Sequence, residues 1–418
     1  HGDGGVQPSR FLGPLKALAF RDFRLLWFGH AFQAGTWWAE LVTRSIVAYQ
    51  LTGSALHLGA LEFVSTLGYT LLGMAGGIWA DRVDRRKLLL VLQGWTLGVY
   101  ALLTALTFSG QLQIWHLYVA LMAISVGEAA NQPIRYAAIP SLLPAQYVRP
   151  ALTLNSMAVA ATRVLVPLTT AGLIQVTGAA GAGFALCVLL YAAIMWCTWR
   201  LRLPPVELPP ERISPLKSLT EGFWYVQRNR NVLAVLFLGI GPLGIGFSYQ
   251  AILIVYAIAV LGGGQTEFSG LLAAIGMGAI VGGSLLASRT SASGNGITAL
   301  ASGGLYGLML VCLGLVALAP SGFSLFWIAV PFAMLVGVAN TAFRASTNAS
   351  LLLSSPVSMR GRIMGMTLLP EAVQGLGSLA AGVGAETIGV APTMAALGIA
   401  CLLVVTAVFI WRPQIRRL

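Results

Sequence analysis

A short charged stretch interrupts the apolar first half of the chain, and it reads Gly77-Ile78-Trp79-Ala80-Asp81-Arg82-Val83-Asp84-Arg85-Arg86-Lys87. Long apolar runs lie on both sides of it, and a helix needs about 20 such residues to cross the hydrocarbon core of a bilayer. A basic loop between two apolar runs is typical of a membrane protein, because Lys and Arg stay at the headgroup region. We therefore predict two membrane-spanning helices, 55–80 and 88–108, joined by this loop.

The composition of the whole chain supports the same class of protein. Of the 418 residues only 9% are charged and 57% are hydrophobic, and the mean hydropathy is +0.81. Because a soluble domain carries about 25% charged residues, this composition excludes a soluble enzyme, a disordered chain and a nucleic-acid-binding domain. We predict an all-α membrane protein with twelve transmembrane helices. The predicted spans are 25–51, 55–80, 88–108, 113–134, 151–176, 180–201, 232–259, 267–288, 297–318, 322–344, 362–386 and 391–411.

The distribution of basic residues predicts how the chain is oriented. If the N-terminus is cytoplasmic, all but two of the 25 Lys and Arg residues fall in or beside cytoplasmic segments. The two exceptions, Arg44 and Arg163, lie inside predicted spans. The net charge of +12 is therefore a topology signal along one membrane face rather than a nucleic-acid footprint. We expect a multi-pass protein of the cell (inner) membrane with both termini in the cytoplasm.

The two halves of the chain carry a weak internal repeat. Asn131 and Arg135 recur as Asn340 and Arg344, and the Ser-Leu-Leu at 141–143 recurs at 350–352 in the same register. Two matches in one register favour duplication of a six-helix unit, a transporter architecture whose substrate site lies between the halves. The expected organisation is a cytoplasmic N-terminal segment 1–24, a six-helix bundle 25–201, a cytoplasmic linker 202–231, a second six-helix bundle 232–411 and a cytoplasmic tail 412–418.

The loop at 77–87 resembles the loop signature of the major facilitator superfamily, although Asp84 stands where that family often has Gly. The resemblance implies the major facilitator fold of two six-helix pseudo-repeats and a conformational latch that favours the outward-open state. The equivalent loop after the eighth span keeps Gly283 but has Ala287 in place of the acid, so the latch is expected to be stronger in the N-terminal half. The residues that the resemblance assigns to it are Gly77, Asp81, Arg82, Arg85 and Arg86.

Four further stretches look like the enterobactin-exporter and macrolide-efflux branch of that superfamily. This narrower resemblance implies proton-driven export of a bulky organic molecule. The G-P-x-x-G-G run of many drug antiporters is matched only by Val166-Pro167 and Gly172. The four stretches are Arg21-Asp22-Phe23-Arg24-Leu25-Leu26-Trp27, Leu51-Thr52-Gly53-Ser54-Ala55, Leu152-Thr153-Leu154-Asn155-Ser156 and Arg360-Gly361-Arg362-Ile363-Met364.

Ionisable side chains inside the spans are candidates for proton coupling, because each costs roughly 2.5–3.5 kcal/mol to insert at the bilayer centre. Glu40 and Arg44 lie four residues apart on one face of the first span. Glu128 lies in the fourth span and Arg163 in the fifth. A pair formed by Glu128 with Arg163 or Arg44 would change in strength on protonation. The alternative is that these charges form fixed ion pairs between helices.

Other polar residues of the spans are predicted to line a central cavity. Gln33 and Trp37 extend the face that carries Glu40, and Asn131 shares a face with Glu128. Glu62, on a face with Ser65 and Tyr69, could line an outer vestibule. The full set of predicted cavity residues is Gln33, Trp37, Asn131, Asn155, Tyr249, Gln250, Tyr256, Glu371 and Gln374.

These patterns predict a secondary active transporter that exports an amphipathic organic compound, a siderophore or a drug, by proton antiport with alternating access. A proton-independent facilitator or lysolipid-type flippase is the alternative, and a sensor or scaffold is disfavoured because no soluble signalling domain is evident. No metal-ligand spacing and no phosphate-binding GxxxxGK[ST] loop occurs, so we expect neither an enzyme nor a cofactor. The expected partners are a small-molecule substrate, protons and the lipid bilayer, with no nucleic acid, and we expect a monomer.

Overall fold

The computed structural model describes residues 14–80, 84–128, 131, 134–135, 139, 142–202, 224, 226–287, 294–319, 324–356, 363, 366, 368–412 and 414. These residues are almost entirely helical, and none of them lies in a β-strand. Twelve long helices follow one another in the described part of the chain. They are α1 Arg21–Thr52, α2 Ala55–Ala80, α3 Arg85–Phe108, α4 Ile114–Glu128, α5 Ala145–Thr177, α6 Gly181–Arg200, α7 Arg230–Ala259, α8 Gln265–Ala287, α9 Asn295–Leu315, α10 Leu325–Leu353, α11 Leu368–Thr387 and α12 Val390–Trp411.

The helices form two groups of six. In the first group α1 packs against α5 and α6, and α3 packs against α6. In the second group α8 packs against α10, and α9 packs against α10 and α12. The groups meet where α2 contacts α11 and where α5 contacts α8. By length and hydropathy, eight of the helices in the described part are apolar enough to cross a membrane. The fold class predicted from the sequence is confirmed.

The two ends of the bundle differ in charge. The end with the α2–α3 loop, here called the basic end, carries Arg86, Arg200, Arg228, Arg230 and Arg412. At the opposite end the helices are joined by tight turns, and Gly53 and Gly178 there adopt φ of 61° and 65°. Glycine suits these positions because this backbone conformation carries no Cβ penalty for it.

The described contacts between the two halves lie between the middle of the bundle and the opposite end. A Cβ atom at Gly59 would lie 2.2 Å from the Ser378 carbonyl oxygen, so α2 and α11 touch through their backbones. Close to that end, the Glu386 carboxylate accepts hydrogen bonds from the Ser54 hydroxyl and, at 3.1 Å, from the Leu56 N–H. The two halves are therefore joined at the end opposite the basic loops.

The tenth helix is longer than the sequence predicted. The predicted span ends at 344, whereas α10 continues to Leu353 and places Arg344 inside the helix. Within this polar continuation a threonine hydroxyl is satisfied by the preceding turn. Thr347 donates to the Phe343 carbonyl at 2.8 Å. Arg344, the last residue of the predicted span, thus lies well inside α10.

Asp84, the departure from the superfamily signature, has a clear structural role. It is the N-cap of α3, and its carboxylate accepts hydrogen bonds from the backbone N–H groups of Arg86 at 2.9 Å and Lys87 at 3.3 Å. An aspartate at this position satisfies orphan donors at the helix start. Arg86 in turn donates to the Trp199 carbonyl. The rest of the predicted latch, namely Gly77, Asp81, Arg82 and Arg85, lies outside the described side chains.

Candidate functional site

A buried cluster of charges lies where α1 meets α2. Glu40 and Arg44, four residues apart on α1, form an ion pair with 2.8 Å between Oε1 and Nε. The Nη2 atom of Arg44 donates to Oε2 of Glu62 in α2 at 2.9 Å. All three side chains are buried, with relative exposures of 6%, 5% and 9% for Glu40, Arg44 and Glu62. We call Glu40, Arg44 and Glu62 the carboxylate cluster.

The carboxylate cluster also contacts the other half of the protein. Gln374 of α11 donates from Nε2 to Oε1 of Glu62 at 3.3 Å, and Gln374 is itself buried. When all groups are ionised, two carboxylates share one guanidinium, so the cluster carries one excess negative charge. Binding of a single proton would neutralise the cluster. Because Glu62 accepts a hydrogen bond from Gln374, a change in the charge of the Glu62 carboxylate would act directly on α11.

Glu128 has a separate environment on the basic side of the same half. It accepts a hydrogen bond from Gln33 Nε2 at 2.6 Å and another from the Tyr191 hydroxyl of α6. The structure therefore brings Glu128 to Gln33 and Tyr191 rather than to Arg44 or Arg163, which were its predicted partners. Among the described residues Glu128 takes part in no ion pair.

Arg135 extends the Glu128 environment toward the basic end. It donates from Nε to Asn131 Oδ1 at 2.9 Å and from a terminal nitrogen to the Thr198 hydroxyl at 3.1 Å. Together with His30 and Asn155 it lines a small cavity between α1, the chain beyond α4, and α5. Asn131 and Asn155, both predicted cavity residues, thus lie beside the same buried arginine.

Helix α7 is broken in its middle, just before two of the predicted cavity residues. It passes through a π turn, Ile240–Ile245, and a 3₁₀ turn, Gly246–Ser248, before regular helix resumes at Tyr249 and Gln250. Pro242 within the turn lacks a backbone donor, which explains the irregularity. Breaks of this kind often mark functional positions in helices.

The break leads into a cluster of hydrogen-bond donors. A Cβ atom at Gly246 would lie 2.6 Å from Cε1 of Tyr306 in α9, so the Tyr306 ring packs on bare backbone. The Tyr249 and Tyr306 rings are 6.5 Å apart, and both interact electrostatically with Arg163 of α5. The Arg163 guanidinium also stacks over Trp38 at 5.3 Å. We call Arg163, Tyr249, Gln250 and Tyr306 the donor cluster.

Two further charges lie near the donor cluster. Arg344 of α10 is 3.6 Å from Glu371 of α11, and both side chains are partly exposed. The Arg344 guanidinium also lies 5.5 Å from the centre of the Phe247 ring. Unlike its repeat equivalent Arg135, which bonds Asn131, Arg344 makes no described bond to Asn340.

The remaining predicted residues occupy other environments. The Tyr256 hydroxyl donates to the Leu313 carbonyl at 2.7 Å, a bond that ties α7 to α9. Trp37 is 45% exposed and packs edge-on against Trp38. Their roles in substrate binding stay predictions. Among the described residues, no group of three or more His, Cys, Asp or Glu side chains could hold a metal ion.

Three aromatic residues that contact these charged groups were not selected from the sequence, namely Tyr191, Tyr306 and Trp38. The two tyrosines each lie in an apolar helix, where an isolated aromatic residue is typical of packing or of the interfacial belt. Glu62 was assigned to a vestibule, whereas it is an ion-pair partner of Arg44. Nothing in the sequence around Glu62, the eighth residue of α2, predicts its contact with α1.

The comparisons with known proteins agree with this architecture. The family described as "Transmembrane secretion effector" matches residues 12–417. Macrolide efflux protein A of Streptococcus pyogenes is 23% identical over 73% of this chain and 75% of its own length. The staphyloferrin A transporter of Staphylococcus aureus is 24% identical over 85% of this chain and 87% of its own.

Solved transporter structures share the fold. A POT family transporter in complex with a thioalcohol-conjugated peptide superimposes with a TM-score of 0.77 at 15% identity, covering 95% of this chain and 97% of the other. A bacterial homologue of the human lysosomal transporter Spinster, in an inward-facing and unoccupied conformation, gives a TM-score of 0.68 at 18% identity, with 99% and 98% covered. At these identities the likeness concerns the fold alone.

Proposed function

Because this chain belongs to the transmembrane secretion effector family of major facilitator transporters, we propose that it exports an amphipathic organic compound by proton antiport. The observation that carries this proposal is the buried carboxylate cluster with its bond to Gln374 across the two halves. Ionisable groups inside a membrane protein mark proton or substrate pathways. The names of the relatives favour a macrolide or a siderophore as cargo.

In the proposed cycle, the carboxylate cluster links proton binding to movement of the halves. A proton that enters from outside neutralises the excess charge on Glu40 or Glu62 and weakens the attraction of that carboxylate for Arg44. With the cluster neutral, α2 can return to α11 and close the outer side, where Gln374 bonds Glu62. Glu128, bonded by Gln33 and Tyr191, is the second proton-binding candidate on the basic side.

The proposed topology places the basic end in the cytoplasm of a cell whose inner membrane the protein spans. Basic residues concentrate on the cytoplasmic side of membrane proteins, so both termini are cytoplasmic. The described inter-half contacts then close the outer side, and the state is inward-facing. The two halves, 25–201 and 232–411, rock about the midplane in the alternating-access cycle, and the transporter works as a monomer.

The test is pH-jump transport in proteoliposomes that contain the purified protein. An imposed proton gradient is expected to drive a macrolide or staphyloferrin A against its concentration gradient. Glu40→Gln, Glu62→Gln and Glu128→Gln are compared with Glu267→Gln. Glu267 is a suitable control, because it caps α8 through a 2.6 Å bond from the Gly264 N–H and lies outside the clusters.

The variants separate antiport from the alternatives. Loss of the pH-driven flux in Glu40→Gln or Glu128→Gln, with Glu267→Gln unchanged, is the expected result. If all carboxylate variants keep the pH-driven flux, the proton sites are wrongly assigned. Transport that is indifferent to the proton gradient would point instead to a facilitator or a lysolipid-type flippase.

A further inference from the structure

Arg163 is a charged side chain inside α5 for which the described structure provides no counter-ion. Its Nε atom is buried without a hydrogen-bond partner, and its recorded cation contact is the stacking on Trp38. A charge in the membrane interior is costly unless it is paired or serves a function. A ligand that brings an anionic group would supply the counter-ion that the described residues do not.

The carboxylates of the spans are already engaged elsewhere. Glu40 and Glu62 bind Arg44, and Glu371 lies beside Arg344. Glu128 accepts bonds from Gln33 and Tyr191. In the sequence, the other acidic residues fall near helix ends or in the loop, linker and terminal segments. Arg163 is thus left without an acid among the described residues.

The polar side chains around Arg163 also have incomplete hydrogen bonding within the described structure. The Tyr306 hydroxyl is buried without a hydrogen-bond partner among the described residues. The Tyr249 hydroxyl and the Gln250 amide nitrogen lie close to each other but complete no well-formed hydrogen bond. The residues Tyr249, Tyr306 and Gln250 are 0%, 0% and 4% exposed. Buried polar atoms in native proteins nearly always have partners, so several unpartnered atoms in one place need an explanation. All of these groups can donate a hydrogen bond.

We infer that the donor cluster binds an anionic, oxygen-rich group of the cargo, in the first place a carboxylate. The guanidinium of Arg163 supplies the charge, and the Tyr249 and Tyr306 hydroxyls supply further donors from α7 and α9. Trp38 and Phe247 provide apolar faces beside the charges. The site draws on both halves, because Arg163 and Trp38 belong to the first and the tyrosines to the second. The inference rests on the transport function proposed above and specifies the cargo as an amphipathic organic anion.

The test uses two probes, N-dansylphenylalanine and its methyl ester. They share the same aromatic groups, and the ester lacks the negative charge of the carboxylate. Binding to the purified full-length protein in detergent is followed by energy transfer from tryptophan to the dansyl group. The acid is expected to bind more tightly than the ester by about tenfold, which corresponds to about 1.4 kcal/mol. Arg163→Gln should bring the two affinities together. Tyr249→Phe and Tyr306→Phe should each weaken binding of the acid and leave the ester unchanged.

The control variant is Arg200→Gln, which removes another arginine that stacks on tryptophan, at the basic end. It should keep the preference for the acid. If Arg163→Gln fails to fold, Arg163→Lys and the two Tyr→Phe variants carry the comparison.

The outcomes for binding and for transport are distinguishable. The inference is overturned if acid and ester bind equally, if neither binds, or if Arg163→Gln keeps the preference. If the protein prefers the acid but shows no pH-driven flux, the anion site stands and the proton-antiport proposal fails. If it shows pH-driven flux but no preference for the acid, the antiport proposal stands and the anion site fails.

Discussion

The carboxylate cluster and the donor cluster are opposites in charge and in how well they are satisfied. In the first, the Arg44 guanidinium lies between two buried carboxylates, and each of these is within 3 Å of one of its nitrogens. In the second, Arg163 has an aromatic ring where a carboxylate would be expected. One arginine is used within the protein, whereas the other is available for a ligand.

Under the proposed function, this difference separates proton coupling from recognition of the cargo. A cluster that is complete in itself can respond to a proton, because a proton changes its internal balance. A cluster that lacks acceptors responds to a molecule that brings them. Substitutions should therefore have opposite consequences at the two sites, and the following predictions run from the largest expected effect to the smallest.

Arg44→Met should be the most damaging change. It leaves Glu40 and Glu62 buried without a cation, and removal of one partner of a buried ion pair costs about 3–5 kcal/mol. Unfolding in a sodium dodecyl sulfate titration, followed by tryptophan fluorescence, measures the loss. The triple variant with Glu40→Gln and Glu62→Gln should recover much of the stability, because it also removes the uncompensated charges. If Arg44→Met alone unfolds like the wild type, the cluster is not an ion-paired unit.

Tyr191→Phe should cause the next largest loss of stability. It removes a donor to Glu128, and hydrogen bonds to charged groups are worth about 1.5–3 kcal/mol. Tyr306→Phe is the matched variant, since its hydroxyl has no hydrogen-bond partner among the described residues and its loss should change stability little. Both are measured by the same titration. Equal losses in the two variants would contradict the contrast between a satisfied and an unsatisfied tyrosine.

Gln374→Leu should have a small effect, on conformation rather than on stability. The bond from Gln374 to Glu62 crosses the halves, and side-chain hydrogen bonds inside membrane proteins average about 0.6 kcal/mol. A loss of that size changes a two-state population about threefold. Spin labels at Gln111 and Ile388, both exposed at the opposite end, would report a larger fraction of separated halves. An unchanged distance distribution would mean that the bond does not hold α2 to α11.

The fold was largely predictable from the sequence, because a bilayer requires long apolar runs and basic residues mark their ends. The extension of α10 beyond Arg344 was not, since the small and polar residues that directly follow do not continue the apolar run. Within the site, the Glu40–Arg44 pair follows from helical spacing alone. The partners Glu62, Tyr191 and Tyr306 depend on how separate helices pack, and a lone tyrosine in an apolar run carries no sign of the helix it will meet.

Arg163→Met is expected to have the smallest effect on stability, and its sign tests the comparison. It removes a charge that has no counter-ion, and replacing buried charges by apolar side chains of similar size is often neutral or stabilising. The loss of stacking on Trp38, about 2 kcal/mol for a desolvated pair, offsets much of that gain. The free energy of unfolding should therefore stay at the wild-type value or rise by up to about 1 kcal/mol, in contrast to Arg44→Met in the same titration. A loss as large as that of Arg44→Met would mean that Arg163 already has a partner within the protein, and the donor cluster would then be structural.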